Sequence, residues 1–99
     1  MEKTRRQIAR EKATIGVYQN LLVESSLEDI LTFLNEEKTL TKSEETMAFS
    51  RWLVETTLQN KESYQTLIEK HLKKGWKFER LSMMEKAILM IAACELLES

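Results

Sequence analysis

The sequence predicts an all-α fold, a bundle of about five helices, and three observations support that prediction. The 99 residues include no proline and only two glycines, and 31% of them are charged, a composition that favours helix almost throughout. Helix-capping motifs recur along the chain. Finally, Ala87 to Cys94 is an uninterrupted run of eight apolar residues, and a helix that is apolar on every side is expected to be buried.

The apolar run lies within residues 81–97, around which we expect the rest of the chain to pack. Ser82 and Glu85 form a Ser-x-x-Glu capping box, so this helix is predicted to begin at Ser82 or at the next residue. At 1.5 Å per residue the run is about 12 Å long, and a membrane span needs about 20 residues. Glu85 and Lys86 before the run and Glu95 after it keep the run from extending further. We therefore predict a core helix and no association with a membrane.

The first helix is predicted from Thr4 to Leu22. Thr4 and Gln7 resemble a capping box at its start. Apolar residues recur at spacings of three, four and seven, which predicts one wide buried stripe. The stripe consists of Ile8, Ile15, Tyr18 and Leu22, flanked by Ala9, Ala13, Val17 and Leu21. Gly16 lies beside it and costs up to about 1 kcal/mol relative to alanine in a helix, so it indicates a close contact between helices.

Two further helices are predicted in the acidic middle of the chain. Ser25 and Ser26 cap a second helix over Leu27 to Glu37, and Lys38 to Lys42 is a polar break. Thr41 with Glu44 is a further capping box, opening a third helix that ends at about Gln59. The residues expected to be buried on these two helices are Ile30, Leu31, Phe33, Leu34, Met47, Ala48, Trp52, Leu53 and Leu58.

A fourth helix is predicted from Lys61 to Lys73, and Asn60 either closes the third helix or caps this one. Gly75 is expected to be its left-handed C-cap, and residues 76–80 connect it to the last helix. Its inward side presents Tyr64, Leu67, Ile68, His71 and Leu72. No internal repeat or linker interrupts the chain, so residues 1–99 are predicted to form a single helical domain.

The charge of the chain is unevenly distributed, although the net charge is only −1. Residues 1–20 carry a net charge of +3 and residues 61–80 also carry +3. Between them, residues 21–60 carry −5, and the last nineteen residues carry −2. Two basic segments separated by an acidic one are a possible electrostatic footprint of a nucleic-acid partner.

The basic residues of the first helix are arranged in a way that helix stability does not explain. Lys3, Arg6 and Arg10 are separated by three and four residues, so they lie on one face. They are close to the N-terminal end, where the helix dipole favours acidic residues. Two interpretations are open: a solvated face without a partner, or a surface that binds an anionic one.

Catalysis and metal binding have little support in the sequence. His71 is the only histidine and Cys94 the only cysteine, and the latter lies in the apolar run, where a thiol is neutral and inert. A metal site needs three or four ligands at suitable spacing. We therefore predict no enzyme activity and no cofactor. Trp52 and Trp76 are interpreted as anchors in the core and the connector. The sequence begins with no secretory segment and suggests no disulfide framework, which favours the cytoplasm.

Three groups of motifs, in this order and spacing, are typical of one protein family. They are Arg5-Arg6-x-x-Ala9-Arg10-Glu11-x-Ala13 with Tyr18-Gln19, Leu53-Val54 with Leu58-x-Asn60-Lys61-Glu62, and Glu79-Arg80-Leu81-Ser82-x-x-Glu85-Lys86-Ala87-Ile88-Leu89 with Ala92-Ala93-x-Glu95-Leu96. In these motifs the chain resembles the NusB transcription antitermination family over essentially all of its 99 residues.

The resemblance implies a helical protein that binds single-stranded boxA RNA in ribosomal RNA transcripts. It implies two protein partners, a small-subunit ribosomal protein that doubles as NusE and the RNA polymerase elongation complex. The RNA-binding residues expected from the basic face and the family are Lys3, Arg5, Arg6, Arg10 and Tyr18, and a secondary basic patch comprises Lys73, Lys74 and Lys77. Arginine suits this role because its planar guanidinium pairs with phosphate and stacks on unpaired bases. Tyr18 also lies on the apolar stripe, so a packed core tyrosine is an equal alternative.

The chain departs from the family because NusB proteins usually continue for two more helices beyond this point. Leaving about 400 Å² of apolar surface on the last helix exposed would forgo about 10 kcal/mol. We expect self-association to cover that surface; a different packing of the last helices or a truncated chain are the alternatives. Two functions follow: an RNA-binding antitermination factor, or a helical protein-interaction or oligomerisation module that has lost RNA binding.

Overall fold

The computed structural model describes residues 3–98, and within this range the chain contains helices and no strand. The helices are α1 Arg5–Val23, α2 Leu27–Glu36, α3 Lys38–Thr41, α4 Glu44–Gln59, α5 Lys61–His71 and α6 Met83–Glu98, with a 3-10 turn over Phe78–Arg80. The predicted all-α fold is confirmed. The organisation of residues 1–99 as a single domain stays a prediction.

Two of the predicted capping boxes form as expected. The Thr4 hydroxyl accepts from the Gln7 N–H at 3.1 Å, and the Gln7 side chain accepts from the Thr4 N–H at 2.8 Å. At α6 the Ser82 hydroxyl accepts from the Glu85 N–H at 3.0 Å, and the Glu85 carboxylate accepts from the Ser82 N–H at 2.8 Å. These reciprocal bonds satisfy N–H groups that a helix start leaves free, which is why α1 and α6 begin where they do.

The predicted polar break over Lys38 to Lys42 is wrong, because residues 38–41 form the short helix α3. Leu40 is fully buried. A single helical turn places it in the core and lets the backbone groups of the turn form hydrogen bonds with one another. The predicted cap of the next helix is wrong as well. The hydroxyl of Ser43 caps α4 by accepting from the Thr46 N–H at 3.3 Å. The Thr41 hydroxyl instead donates to the carbonyl oxygen of Lys38 within α3.

The central element is α1, which packs against α2, α4 and α6. Its buried side is made of small residues, and these are Ala9, Ala13, Gly16 and Val17. The predicted close contact at Gly16 is confirmed: a Cβ atom there would lie 2.6 Å from Cγ2 of Ile30 and 3.5 Å from Cγ2 of Val54. The expectation that the chain is organised around its last apolar helix is therefore wrong.

The helix α6 is buried on one side only. Its buried residues are Ala87, Met90, Ile91, Ala93 and Cys94. In contrast, Ile88 is 52% exposed and Leu96 is 83% exposed. Ile88, Ala92 and Leu96 are four residues apart and so share a face, and α6 packs with its other side against α1, α4 and α5. The prediction of burial all round fails because no element within residues 3–98 packs on that face.

The buried side of α4 also differs from the prediction. Met47 and Leu53 are buried as expected, but Ala48 is exposed and Trp52 is half-buried. Polar residues take part in the contact with α1. In particular, Ser50 is fully buried and its hydroxyl donates to the carbonyl oxygen of Ala9 at 3.0 Å, so its polar group is satisfied.

The connection from α5 to α6 differs from the prediction in its cap and in its anchor. Gly75 has the expected left-handed conformation, with φ of 93°, but it lies in a separate turn beyond the end of α5. His71 is exposed. Phe78 is buried and anchors the connector, whereas Trp76 is 59% exposed.

Candidate nucleic-acid interface

The arginines Arg5 and Arg6 are the first two residues of α1. The capping box at Thr4 sets this position, and the first turn contains no acidic residue. Here the helix presents free N–H groups and the positive end of its dipole, which together attract anions. Both side chains are exposed, and neither forms an ion pair within residues 3–98.

The guanidinium of Arg6 is held over an aromatic ring. Its Cζ atom lies 4.3 Å from the centroid of the Phe49 ring on α4. Phe49 in turn stacks on Trp52, with the ring centroids 6.1 Å apart and an angle of 16° between the rings. A cation–π contact of this kind contributes about 0.5–1 kcal/mol at an exposed site. The contact gives the Arg6 guanidinium a preferred orientation at the protein surface.

In contrast, Arg10 is paired with a partly buried carboxylate on another helix. Its Nε donates to Oε1 of Glu95 on α6 at 2.5 Å, and the side chains are 40% and 21% exposed. The hydrogen bond that Arg10 donates to Glu95 raises the pKa of Arg10 above its ordinary value. Glu95 offsets the charge of Arg10, so Arg10 adds less positive potential to the surface than Arg5 and Arg6.

The remaining basic residue of this surface, Lys3, precedes α1. Its Nζ forms an ion pair with Oε1 of Glu11 at 2.5 Å, and both side chains are about half exposed, at 58% and 49%. Exposed pairs of this kind are worth only about 0–1 kcal/mol. Lys3 can therefore exchange its carboxylate partner for a phosphate at little cost.

The structure separates Tyr18 from the arginines. Twelve residues along α1 place it about 18 Å from Arg6. Its side chain is half-buried and packs against the hydrophobic core. A role in RNA binding stays a prediction for this residue.

The secondary basic patch lies in a different part of the molecule. Lys73, Lys74 and Lys77 are all exposed and follow the C-terminal end of α5. Helix α1 meets α5 at the opposite end, where Nζ of Lys61 donates to Oδ1 of Asn20 at 2.7 Å. Among the residues that the structure describes, no ion pair or hydrogen bond joins this patch to Arg5 or Arg6.

Sequence reasoning assigned no role at this surface to Phe49, Glu45 or Glu95. Arg5, Arg6, Glu45, Thr46 and Phe49 line a notch of about 110 Å³ between α1 and α4. Periodicity relates residues within one helix and so could not have revealed a contact between Arg6 and a residue 43 positions away. Neither the family motif that contains Glu95 nor its position at the end of the apolar run indicates its pairing with Arg10.

The structure places neither an exposed thiol nor a cluster of metal ligands within residues 3–98. Cys94 is fully buried, and burial raises the pKa of its thiol. No group of three or more His, Cys, Asp or Glu residues between positions 3 and 98 could hold a metal ion. No helix in the same range is long and apolar enough to cross a bilayer.

Comparison with known proteins identifies the family. The NusB family model matches residues 7–99. This chain belongs to the NusB family. It is 38% identical over 92 residues to the transcription antitermination protein NusB of Bacillus mycoides (strain KBAB4), covering 93% of this chain and 67% of the relative. The same protein of Bacillus cereus (strain B4264) is 37% identical with the same coverage. No solved structure matches the chain significantly.

Membership of the NusB family confirms the resemblance in the sequence motifs. The matched relatives are transcription antitermination proteins and not enzymes, which agrees with the prediction of no catalytic activity. The chain spans about two thirds of the length of the NusB relatives it matches.

Proposed function

We propose that this chain is an RNA-binding transcription antitermination factor of the cytoplasm. It binds boxA-type single-stranded sites in ribosomal RNA transcripts together with a NusE-type small-subunit ribosomal protein, and acts on the RNA polymerase elongation complex. The observation that supports this proposal best is the exposure of Arg5 and Arg6 at the N-terminal end of α1, with no ion-pair partner among the described residues.

The chemistry of these side chains suits a single-stranded RNA. An arginine guanidinium donates two parallel hydrogen bonds to a phosphate and can stack on an unpaired base. The helix dipole favours the same phosphates, because the positive end of α1 lies at Arg5. In this proposal Arg5 and Arg6 make the main contacts, Lys3 and Arg10 support them, and Tyr18 and the secondary basic patch extend the surface.

Titration of a boxA-like RNA and a scrambled RNA of the same length tests this function. We expect the boxA-like RNA to bind more tightly, and the NusE-type protein to increase its affinity further. Three or four cations on phosphates predict a slope of log K against log salt of about −2 to −3 for a single strand. If neither RNA binds at low salt, with or without the NusE-type protein, the proposed function is wrong.

A second candidate function is self-association through the exposed side of α6. Leu96 is 83% exposed and lines an apolar groove of about 260 Å³ between α5 and α6. The groove is also lined by Leu67, His71, Leu72, Leu89 and Ala92. We propose that a second copy of the chain covers this surface, because exposed apolar patches on soluble proteins commonly mark interaction sites.

Replacing Leu96 with lysine should convert a dimer into a monomer. A charge at the centre of an apolar contact must lose its hydration, which disfavours association. Light scattering coupled to size exclusion at micromolar concentration measures the mass. Ala48→Lys is the matched control, because Ala48 is exposed on α4 away from the groove. A wild-type protein that is monomeric under these conditions would rule out self-association.

A further inference from the structure

The notch between α1 and α4 combines groups that a phosphate-binding surface does not need. Arg5 and Arg6 on α1 face Glu45, Thr46 and Phe49 on α4 across a volume of about 110 Å³. Phosphate binding alone would explain the arginines. It does not explain a carboxylate beside them or an aromatic ring under one of them, and these two features indicate a more specific ligand.

The aromatic ring makes Arg6 a stacking surface. The guanidinium lies over one face of Phe49 at 4.3 Å, and Phe49 is supported by Trp52. Arg6 is itself exposed, so its guanidinium remains accessible to a ligand. Unpaired RNA bases are commonly bound by stacking on aromatic rings and on guanidinium planes of this kind.

The carboxylate of Glu45 is the second feature of the notch that phosphate binding does not explain. Glu45 is exposed in the first turn of α4 and forms no ion pair within residues 3–98, although two arginines line the same notch. An ionised carboxylate only accepts hydrogen bonds, and its two oxygens can accept two parallel N–H groups. Guanine presents two adjacent donors, N1–H and the N2 amino group, on its Watson–Crick edge. Adenine, cytosine and uracil each place acceptors beside a single donor group on that edge.

We propose that this notch binds one unpaired guanine of the RNA, with the base stacked on the Arg6 guanidinium. Its Watson–Crick edge faces Glu45, and Arg5 contacts a neighbouring phosphate. The inference rests on the proposed function, because an RNA strand must follow the basic end of α1 for a base to enter the notch. The guanine site adds a preference for one base to the proposed RNA binding. Phosphate contacts by the arginines alone would not distinguish between bases.

Fluorescence anisotropy with three short RNA probes tests the preference. Each probe is a single strand of uridines with one central guanosine, adenosine or inosine, the last lacking the N2 amino group. We expect wild-type protein to bind the guanosine probe about tenfold more tightly than the adenosine probe, as a bidentate contact allows, with inosine intermediate. Glu45→Ala should reduce that ratio to less than about twofold.

Glu44→Ala is the matched control for Glu45→Ala. Both residues are exposed acids in the first turn of α4, but only Glu45 lines the notch. Each variant removes one negative charge, so both should raise the affinity for the adenosine probe by a similar factor. Only Glu45→Ala should change the ratio between probes.

Arg6→Lys tests the stacking contact separately from charge. Lysine keeps the positive charge but lacks the planar guanidinium, so the preference for guanosine should fall while the salt slope stays the same. Arg51→Lys, at an exposed position on α4 outside the notch, should leave the preference for guanosine and the salt slope unchanged. Thermal unfolding of each variant verifies that the fold is intact.

The outcomes distinguish this inference from the function on which it rests. Equal wild-type affinity for the three probes, or an unchanged ratio in Glu45→Ala, would overturn the guanine site and leave RNA binding in place. Failure of the wild-type protein to bind any probe at low salt, together with failure to bind the boxA-like RNA, would overturn both.

Discussion

Replacing Arg5 and Arg6 together with alanine is expected to lower the affinity for boxA-like RNA about thirtyfold, equivalent to about 2 kcal/mol. Each guanidinium is exposed and lacks an ion-pair partner within residues 3–98, so its charge is available to phosphate. Losing two cations from the RNA-binding surface should also make the salt slope shallower, by up to about 1.4. Anisotropy titrations at several salt concentrations measure both quantities.

Lys38→Ala with Lys42→Ala is the matched control for this double variant. It removes the same amount of charge from two exposed lysines that lie outside α1. We expect this control to reduce the affinity less than about threefold, since neither lysine lines the notch or lies on α1, and salt screens exposed charges that make no direct contact. An equal loss in both double variants would mean that RNA binding follows net charge alone and not the end of α1.

Replacing Gly16 with valine is expected to lower the free energy of unfolding by about 2–3 kcal/mol. Even a Cβ atom at this position would lie 2.6 Å from Cγ2 of Ile30, a distance that forces one of the helices to move. Ile30 is β-branched and fully buried, so its side chain cannot easily rotate away. Urea denaturation followed by circular dichroism measures the change.

Two comparisons distinguish a loss of stability caused by overpacking at Gly16 from one caused by the lower helix propensity of valine. Ala48→Val introduces the same side chain at an exposed position of α4 and should cost only about 0.5 kcal/mol. In a double-mutant cycle, Gly16→Ala should be less destabilising when Ile30→Ala has already removed the opposing methyl group. If Gly16→Val is no more destabilising than Ala48→Val, the helices are not in close contact at this position.

Both predictions concern α1, which lies at the centre of the bundle and also carries the arginines of the candidate RNA surface. Its small buried residues allow α2, α4 and α6 to approach closely, and its first turn places Arg5 and Arg6 in solvent. The two roles use different residues of one helix. Variants at Gly16 should therefore affect stability, whereas variants at Arg5 and Arg6 should affect RNA affinity.

The helix limits followed from local sequence to within a few residues where a cap was present. The capping boxes at Thr4 and Ser82 predicted the starts of α1 and α6, because these hydrogen bonds join residues three positions apart. The cluster of basic residues at the start of α1 could also be located from the sequence. The local pattern did not predict the helix α3, because the segment around Leu40 is otherwise polar. Leu40 is buried in the core, and the segment forms a helical turn around it.

The sequence by itself determined the all-α class, the ends of the capped helices and the basic start of α1, because those properties depend on neighbouring residues. Only the tertiary structure decided that Glu95 pairs with Arg10, that Phe49 lies beneath Arg6, and that one side of α6 is exposed. Each of these depends on which helix packs against which. Contacts between residues 43 or 85 positions apart leave no periodic pattern in the sequence, so the packing of the helices alone establishes them.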